Sequence, residues 1–137
     1  MSHLEYFSYK GFGENMREAL SYNQAVRIGD RIEIAGQGGW DPETHKIPTD
    51  ISEEIHQAFS NVELALKDAG GKGWCQVYRV RIFTTLVTDQ EAVVLLVQNL
   101  RKWMPDHKPV LTCVGIGNLA LEGMRVEIEA FAHDERE

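Results

Sequence analysis

Trp40 stands in Gly36-Gln-Gly-Gly-Trp-Asp-Pro42, a stretch too rich in Gly and Pro for a regular element and suited to a loop whose backbone approaches another group closely. An indole there can stack on a ligand or plug the end of a core, and both readings stay open. Cys113 beside a histidine would be a thiol nucleophile, but no spacing supports that pairing, and a small buried strand cysteine is the plainer expectation. The five His, at 3, 45, 56, 107 and 133, show no paired metal-ligand spacing, and Cys75 and Cys113 form no Cys-x-x-Cys, so neither a metal nor a disulfide is expected. Glycine-rich phosphate-binding motifs and a nucleophile elbow are missing as well. Tyr78, Arg79, Arg81 and Phe83 interleave bases with aromatics as single-strand nucleic-acid sites do, yet 14 Lys and Arg stand against 21 Asp and Glu. A net charge of −7 argues against a polyanionic partner.

The elements that must position these residues follow from periodicity. Ala25 to Ala35 alternates apolar and polar residues on both sides of Gly29-Asp30, a hairpin signal. Asp50 with Glu53 forms a capping box, and Ile51, Ile55, Ala58, Phe59, Val62 and Leu66 mark one face of the helix it opens, which Gly70-Gly71 ends. From Gln76 to Val87 the pattern is a strand, with Tyr78, Val80, Ile82 and Leu86 on one face and Arg79, Arg81, Phe83 and Thr85 on the other. Asp89 caps a second helix, through Met104, with a core stripe of Val93, Leu96, Val97, Leu100 and Met104. Leu111 to Ile116 and Met124 to Ala132 read as closing strands, and Leu4 to Tyr9 as an opening one.

The order β-β-β-α-β-α-β-β predicts an α+β fold: a mixed sheet with two helices on one face. Alternation leaves Arg27, Arg31, Glu33, Arg79, Arg81, Phe83, Glu127, Glu129 and Phe131 on the open face. Balanced charges with interspersed aromatics favour a subunit interface there over simple solvent exposure. The 137 residues suit one domain, 1–137. No apolar run approaches a bilayer span, and the N-terminus has no secretory or transit pattern, so the cytoplasm is expected, with no membrane partner.

Five motifs in register carry a resemblance: Tyr22-Asn-Gln-Ala-Val, Ala35-Gly-Gln, Asp41-Pro-Glu-Thr, Lys108-Pro-Val-Leu-Thr-Cys-Val-Gly and Val126-Glu-Ile-Glu-Ala130. From about Tyr22 to Ala132 the chain resembles the Rid family, the reactive intermediate deaminases also called YjgF-like proteins, with an older endoribonuclease L-PSP name. The resemblance implies a chorismate-mutase-like fold and a homotrimer with small-molecule pockets between subunits. It implies hydrolysis of imines or enamines such as 2-aminoacrylate to 2-keto acids and ammonia, without metal or organic cofactor. The expected ligand is a small carbonyl, imine or enamine compound bound between subunits; a non-catalytic binding or sensor protein is the alternative, and RNA cleavage or binding is the least expected.

By the same resemblance, Tyr22, Gly36, Thr112, Cys113 and Glu127 fall at ligand-lining and water-positioning places, with Glu127 handling protons. Gln37 and Trp40 join the expected substrate-binding set. Family deaminases clamp the substrate carboxylate with an Arg before the Ser/Thr-Cys pair; here that position is Leu111, as in subgroups that lack the Arg. Losing a charge-assisted clamp of roughly 1.5 to 3 kcal/mol predicts poor binding of 2-imino acids, unless Arg79 or Arg81 substitutes.

Overall fold

The computed structural model describes residues 1–136. Strand β1 (Glu5–Phe7) precedes helix α1 (Phe12–Leu20); the hairpin β2 (Ala25–Ile28) and β3 (Arg31–Ile34) follows, then helix α2 (Ile51–Asp68). A short 3-10 turn (Trp74–Gln76) leads into β4 (Val77–Thr84), helix α3 (Gln90–Trp103), β5 (Val110–Gly115) and β6 (Val126–His133). The strands form one sheet in the order β1-β2-β3-β6-β4-β5, antiparallel except between β4 and β5. The α+β expectation therefore holds, with a third helix added.

Both anticipated caps are present: Asp50 accepts from the Glu53 N–H and Asp89 from the Ala92 N–H. The apolar face of α2 buries Ile55, Ala58, Phe59, Val62 and Leu66 against β6 and β3, where Ile128, Ala130 and Ile32 are buried. Helix α1 escaped the periodicity because it has nine residues and no side-chain N-cap. Tertiary contacts form it instead: the Phe12 N–H bonds the Pro42 carbonyl at 2.8 Å, and Phe12 stacks on Trp40 with ring centroids 3.9 Å apart. A hydrophobe every four residues, at Phe12, Met16 and Leu20, was its only sequence signal.

Three side-chain placements differ from the alternation. A bulge between Val77 and Arg79 turns Tyr78 outward, so the buried series of β4 is Val77, Val80, Ile82 and Thr84. Arg27 lies on the helix side of the sheet, buried opposite Ile32, because Asp134 returns from the C-terminal end to pair with its guanidinium. Helix α3 leans on α2 through Ala92 and Leu96, which leaves Val93 and Val97 exposed instead of in the core stripe.

Candidate functional site

Glu127 sits on β6, opposite Phe83 of β4, with its side chain on the open face. Its local frame comes from an irregularity in the pairing of the preceding hairpin with β6. Glu33 faces Phe131 and Gln37 faces Ile128, so one chain advances four residues while the other advances three. The extra residue at Ala35–Gly36 is a bulge, a feature that re-aims backbone beside functional side chains. It brings Gly36 against the Glu127 carboxylate so closely that a Cβ at position 36 would overlap Oε1. A side chain at position 36 would therefore displace the carboxylate, a constraint set by contact and not by an unusual φ.

Burial pushes the Glu127 carboxyl above the ordinary Glu range, and the neighbouring Glu129 carboxylate adds to the shift. Two of the cations that could have paired with it, Arg81 and Arg125, are committed elsewhere. Arg81 bonds Glu129 at 2.9 Å and lies over the Phe131 ring at 4.9 Å. Arg125 bonds the fully buried Glu54 through both its Nε (2.6 Å) and its backbone N–H (2.7 Å). Arg79 is exposed on β4 and makes no ion pair among the described residues. Glu127 likewise has none, so its carboxylate is partly desolvated and uncommitted.

The other expected residues separate into three places. Tyr22 lines an open depression of about 420 Å³ with Tyr6, Val26, Glu33 and Ala35, over β1 to β3. Leu111, Thr112 and Cys113 lie on β5, the far edge strand; β3, β6 and β4 stand between it and β2, which is about 19 Å at ordinary strand spacing. Within β5, Thr112 is registered with Arg81 on the open side, while Leu111 and Cys113 are registered with Val80 and Ile82 on the helix side. Leu111 is 47% exposed there and borders a mixed groove of about 560 Å³, with Val97, Leu100 and Met104 on its apolar side and Arg101, Asp106 and Lys108 on its charged side. Cys113 is exposed rather than buried, because no strand covers β5 from outside, and partial burial raises its thiol pKa.

Gln37 and Trp40 occupy the third place, the core. Trp40 is 3% exposed, stacked on Phe12, with its indole N–H donated to the Tyr9 hydroxyl at 3.0 Å. That geometry is the core plug of the two readings, and Gln37 is equally enclosed. Two buried polar residues of α2 that the sequence reading passed over hold this loop: Asn61 donates to the carbonyls of Gly38 and Trp40, both at 2.8 Å, and Glu54 takes Arg125. Their signal was a polar residue at positions 54 and 61, in phase with the apolar stripe at 58 and 65.

No helix is long and apolar enough to cross a membrane, and no three His, Cys, Asp or Glu side chains gather as a metal set among the described residues. Residues 13–134 match the family model described as endoribonuclease L-PSP. A RutC family protein of Aquifex aeolicus is 34% identical over 113 residues, 81% of this chain and 86% of that one. A 2-iminobutanoate/2-iminopropanoate deaminase of Dermatophagoides farinae is 31% identical over 110 residues, 80% of this chain and 82% of that one. A solved Mycobacterium tuberculosis member of the YjgF/YER057c/UK114 family superposes with a TM-score of 0.77 at 28% identity, over 95% of this chain and 98% of that one. On the model match across nearly the whole chain, together with these relatives, the chain belongs to the YjgF/RidA family, that of the endoribonuclease L-PSP model.

Proposed function

We propose that this protein hydrolyses a small imine or enamine that lacks a carboxylate on the reacting carbon, in a site shared between copies of a homotrimer. The observation that carries the reading is the uncommitted Glu127 carboxylate against Gly36, with Arg81 and Arg125 both engaged by other acids. A carboxyl whose pKa is raised by burial exchanges protons nearer neutrality. In this mechanism Glu127 takes a proton as a water oxygen bonds the carbon of the protonated imine, C=NH2+, whose C=N electron pair moves to nitrogen to leave a neutral amine; an enamine first takes that proton from solvent at carbon. Glu127 then returns its proton to that amine, the C–N bond breaks, ammonia leaves, and the hydroxyl proton is lost as the carbonyl forms.

The homotrimer is supported by the split of the site. Leu111 and Cys113 face the helix side of one sheet edge while Glu127 faces the open side, so one small ligand reaches both sets only where two copies meet. A second copy would bring its β5 to the Glu127, Gly36 and Tyr22 surface of the first. Leu111 supports the substrate class: an isobutyl group at that position offers the carboxylate of a 2-imino acid no charge-assisted bond, and the cations of the adjoining groove, Arg101 and Lys108, belong to its rim with Asp106. Arg81 is a poor replacement clamp, since Glu129 already holds it; Arg79 is the freer of the two. RNA cleavage is disfavoured by the charge of −7.

Ammonia release from freshly generated 2-aminoacrylate, measured for the native protein and Leu111→Arg at equal concentration, tests this. The expected result is slow native turnover and a gain of roughly tenfold or more in Leu111→Arg, the worth of one charge-assisted clamp. Fast native turnover would overturn the substrate class and make Arg79 the next residue to remove. Ligands that raise the melting temperature and are recovered unchanged, with no turnover of any imine, would favour the binding-protein alternative.

A further inference from the structure

Behind Glu127, a set of buried polar side chains converges on Gln37. Its amide oxygen accepts from the Tyr9 hydroxyl at 2.7 Å, and that hydroxyl accepts in turn from the Trp40 indole N–H. Its amide nitrogen donates to Gln24 Oε1 at 2.7 Å and to the Ala35 carbonyl at 3.1 Å. Its backbone exchanges both hydrogen bonds with Ile128, the residue after Glu127, at 2.8 and 2.9 Å. Gln37 thus holds the chain on both sides of the carboxylate: Ala35, which enters the bulge, and Ile128, which leaves the Glu127 position.

We infer that Gln37 is the positioning residue of Glu127: clamped by Gln24 and by a Tyr9 hydroxyl that Trp40 holds in turn, it fixes the Ala35–Gly36 bulge so that Gly36 closes over the carboxylate. Gln37 touches no substrate and acts only through the bulge. Its role rests on the reading that Glu127 handles protons, but the arrangement has its own observable. If the clamp loosens, the bulge relaxes, water reaches the carboxylate, and its pKa falls toward that of a free Glu. The other charges near the group are fixed independently, since Glu129 on β6 is held by Arg81 of β4. A network that served only the core would change stability and leave the titration alone.

The experiment is an NMR titration of the Glu127 side-chain carboxyl carbon in the full chain, its resonance assigned by loss in Glu127→Gln. Tyr9→Phe keeps the packed ring and removes only the hydroxyl that the Gln37 oxygen and the Trp40 N–H share. Gln24→Met removes the acceptor at the other end of the amide and serves if Tyr9→Phe fails to fold. Val62→Ala, a cavity in the core of α2 outside the network, supplies a destabilised comparison. The expected result is a Glu127 midpoint lowered by about half a pH unit or more in Tyr9→Phe or Gln24→Met and unmoved in Val62→Ala. An unmoved midpoint in a folded clamp variant, or an equal shift in Val62→Ala, overturns the inference. No substrate enters this measurement, so its failure is distinct from failure of the hydrolysis reading, which unchanged turnover in Glu127→Gln would sink.

Discussion

Glu127 and Leu111 stand two strands apart in the sheet, yet their surroundings are opposite. Glu127 lies on a central strand, backed by Ile128, Gln37, Tyr9 and Trp40, all nearly or fully buried. Leu111 lies on an edge strand whose six residues are all exposed, with Val110 at 54% and Val114 at 38%. A long edge strand with bare apolar side chains is a pairing and docking hazard for a chain that stays alone. One half of the candidate site is thus completed by its own chain, and the other is a surface left open by it. The difference teaches that the carboxylate's properties belong to the single fold, whereas the surroundings of Leu111 depend on what adjoins β5.

The sharpest way to break the comparison is to cut equally into both halves. Ile128→Ala should lower the unfolding free energy by about 3 kcal/mol in urea titrations, since the residue is fully buried where β6 meets the Gln37 bridge. Val114→Ala, half open to solvent, should cost less than about 0.5 kcal/mol in the separate chain. A large, concentration-dependent loss in Val114→Ala would show that β5 is covered by another copy. Gly36→Ala should reduce imine turnover roughly 100-fold, because the new methyl must displace the carboxylate, with the sedimentation behaviour unchanged from the native protein.

A smaller effect separates the halves by pH. Glu127 has a folded pKa raised by burial, so the folded state binds its proton more tightly than the unfolded chain does. Stability contributed by that proton is present below the unfolded pKa and is lost as pH rises through the folded one. Urea midpoints of the native protein should therefore fall relative to Glu127→Gln as pH is raised through that window, while Cys113→Ser should follow the native curve there. The smallest expected stability change is that of Leu111→Arg, within about 0.5 kcal/mol, because position 111 is half exposed. A larger loss on assembly would place the side chain against a second copy.

Most of the element order was legible, because α2, β2, β3 and β6 carry a clear apolar period and two helices open on Asp caps. The sheet's open face was legible except at Arg27, whose partner Asp134 lies 107 positions away and leaves no local trace. The same holds for Glu127: alternation put it on the open face, but not beside Gly36 or free of Arg81 and Arg125. Trp40 is the converse case. Its Gly-rich loop suits a ligand as well as a core, and only Phe12 and Tyr9, brought from an unforeseen helix and the turn before it, make it a plug.

By itself the sequence determined the α+β class and the family, and it placed Leu111 directly before Thr112 and Cys113. These follow from local period, motif order and residue identity, which need no partner. Tertiary structure alone decided which acid is uncommitted, which side of the sheet Leu111 and Cys113 take, and that Gln37 and Trp40 support the site from behind. Each of those depends on contacts between residues far apart in the chain, and side-chain pairing and burial are settled only when the sheet is assembled.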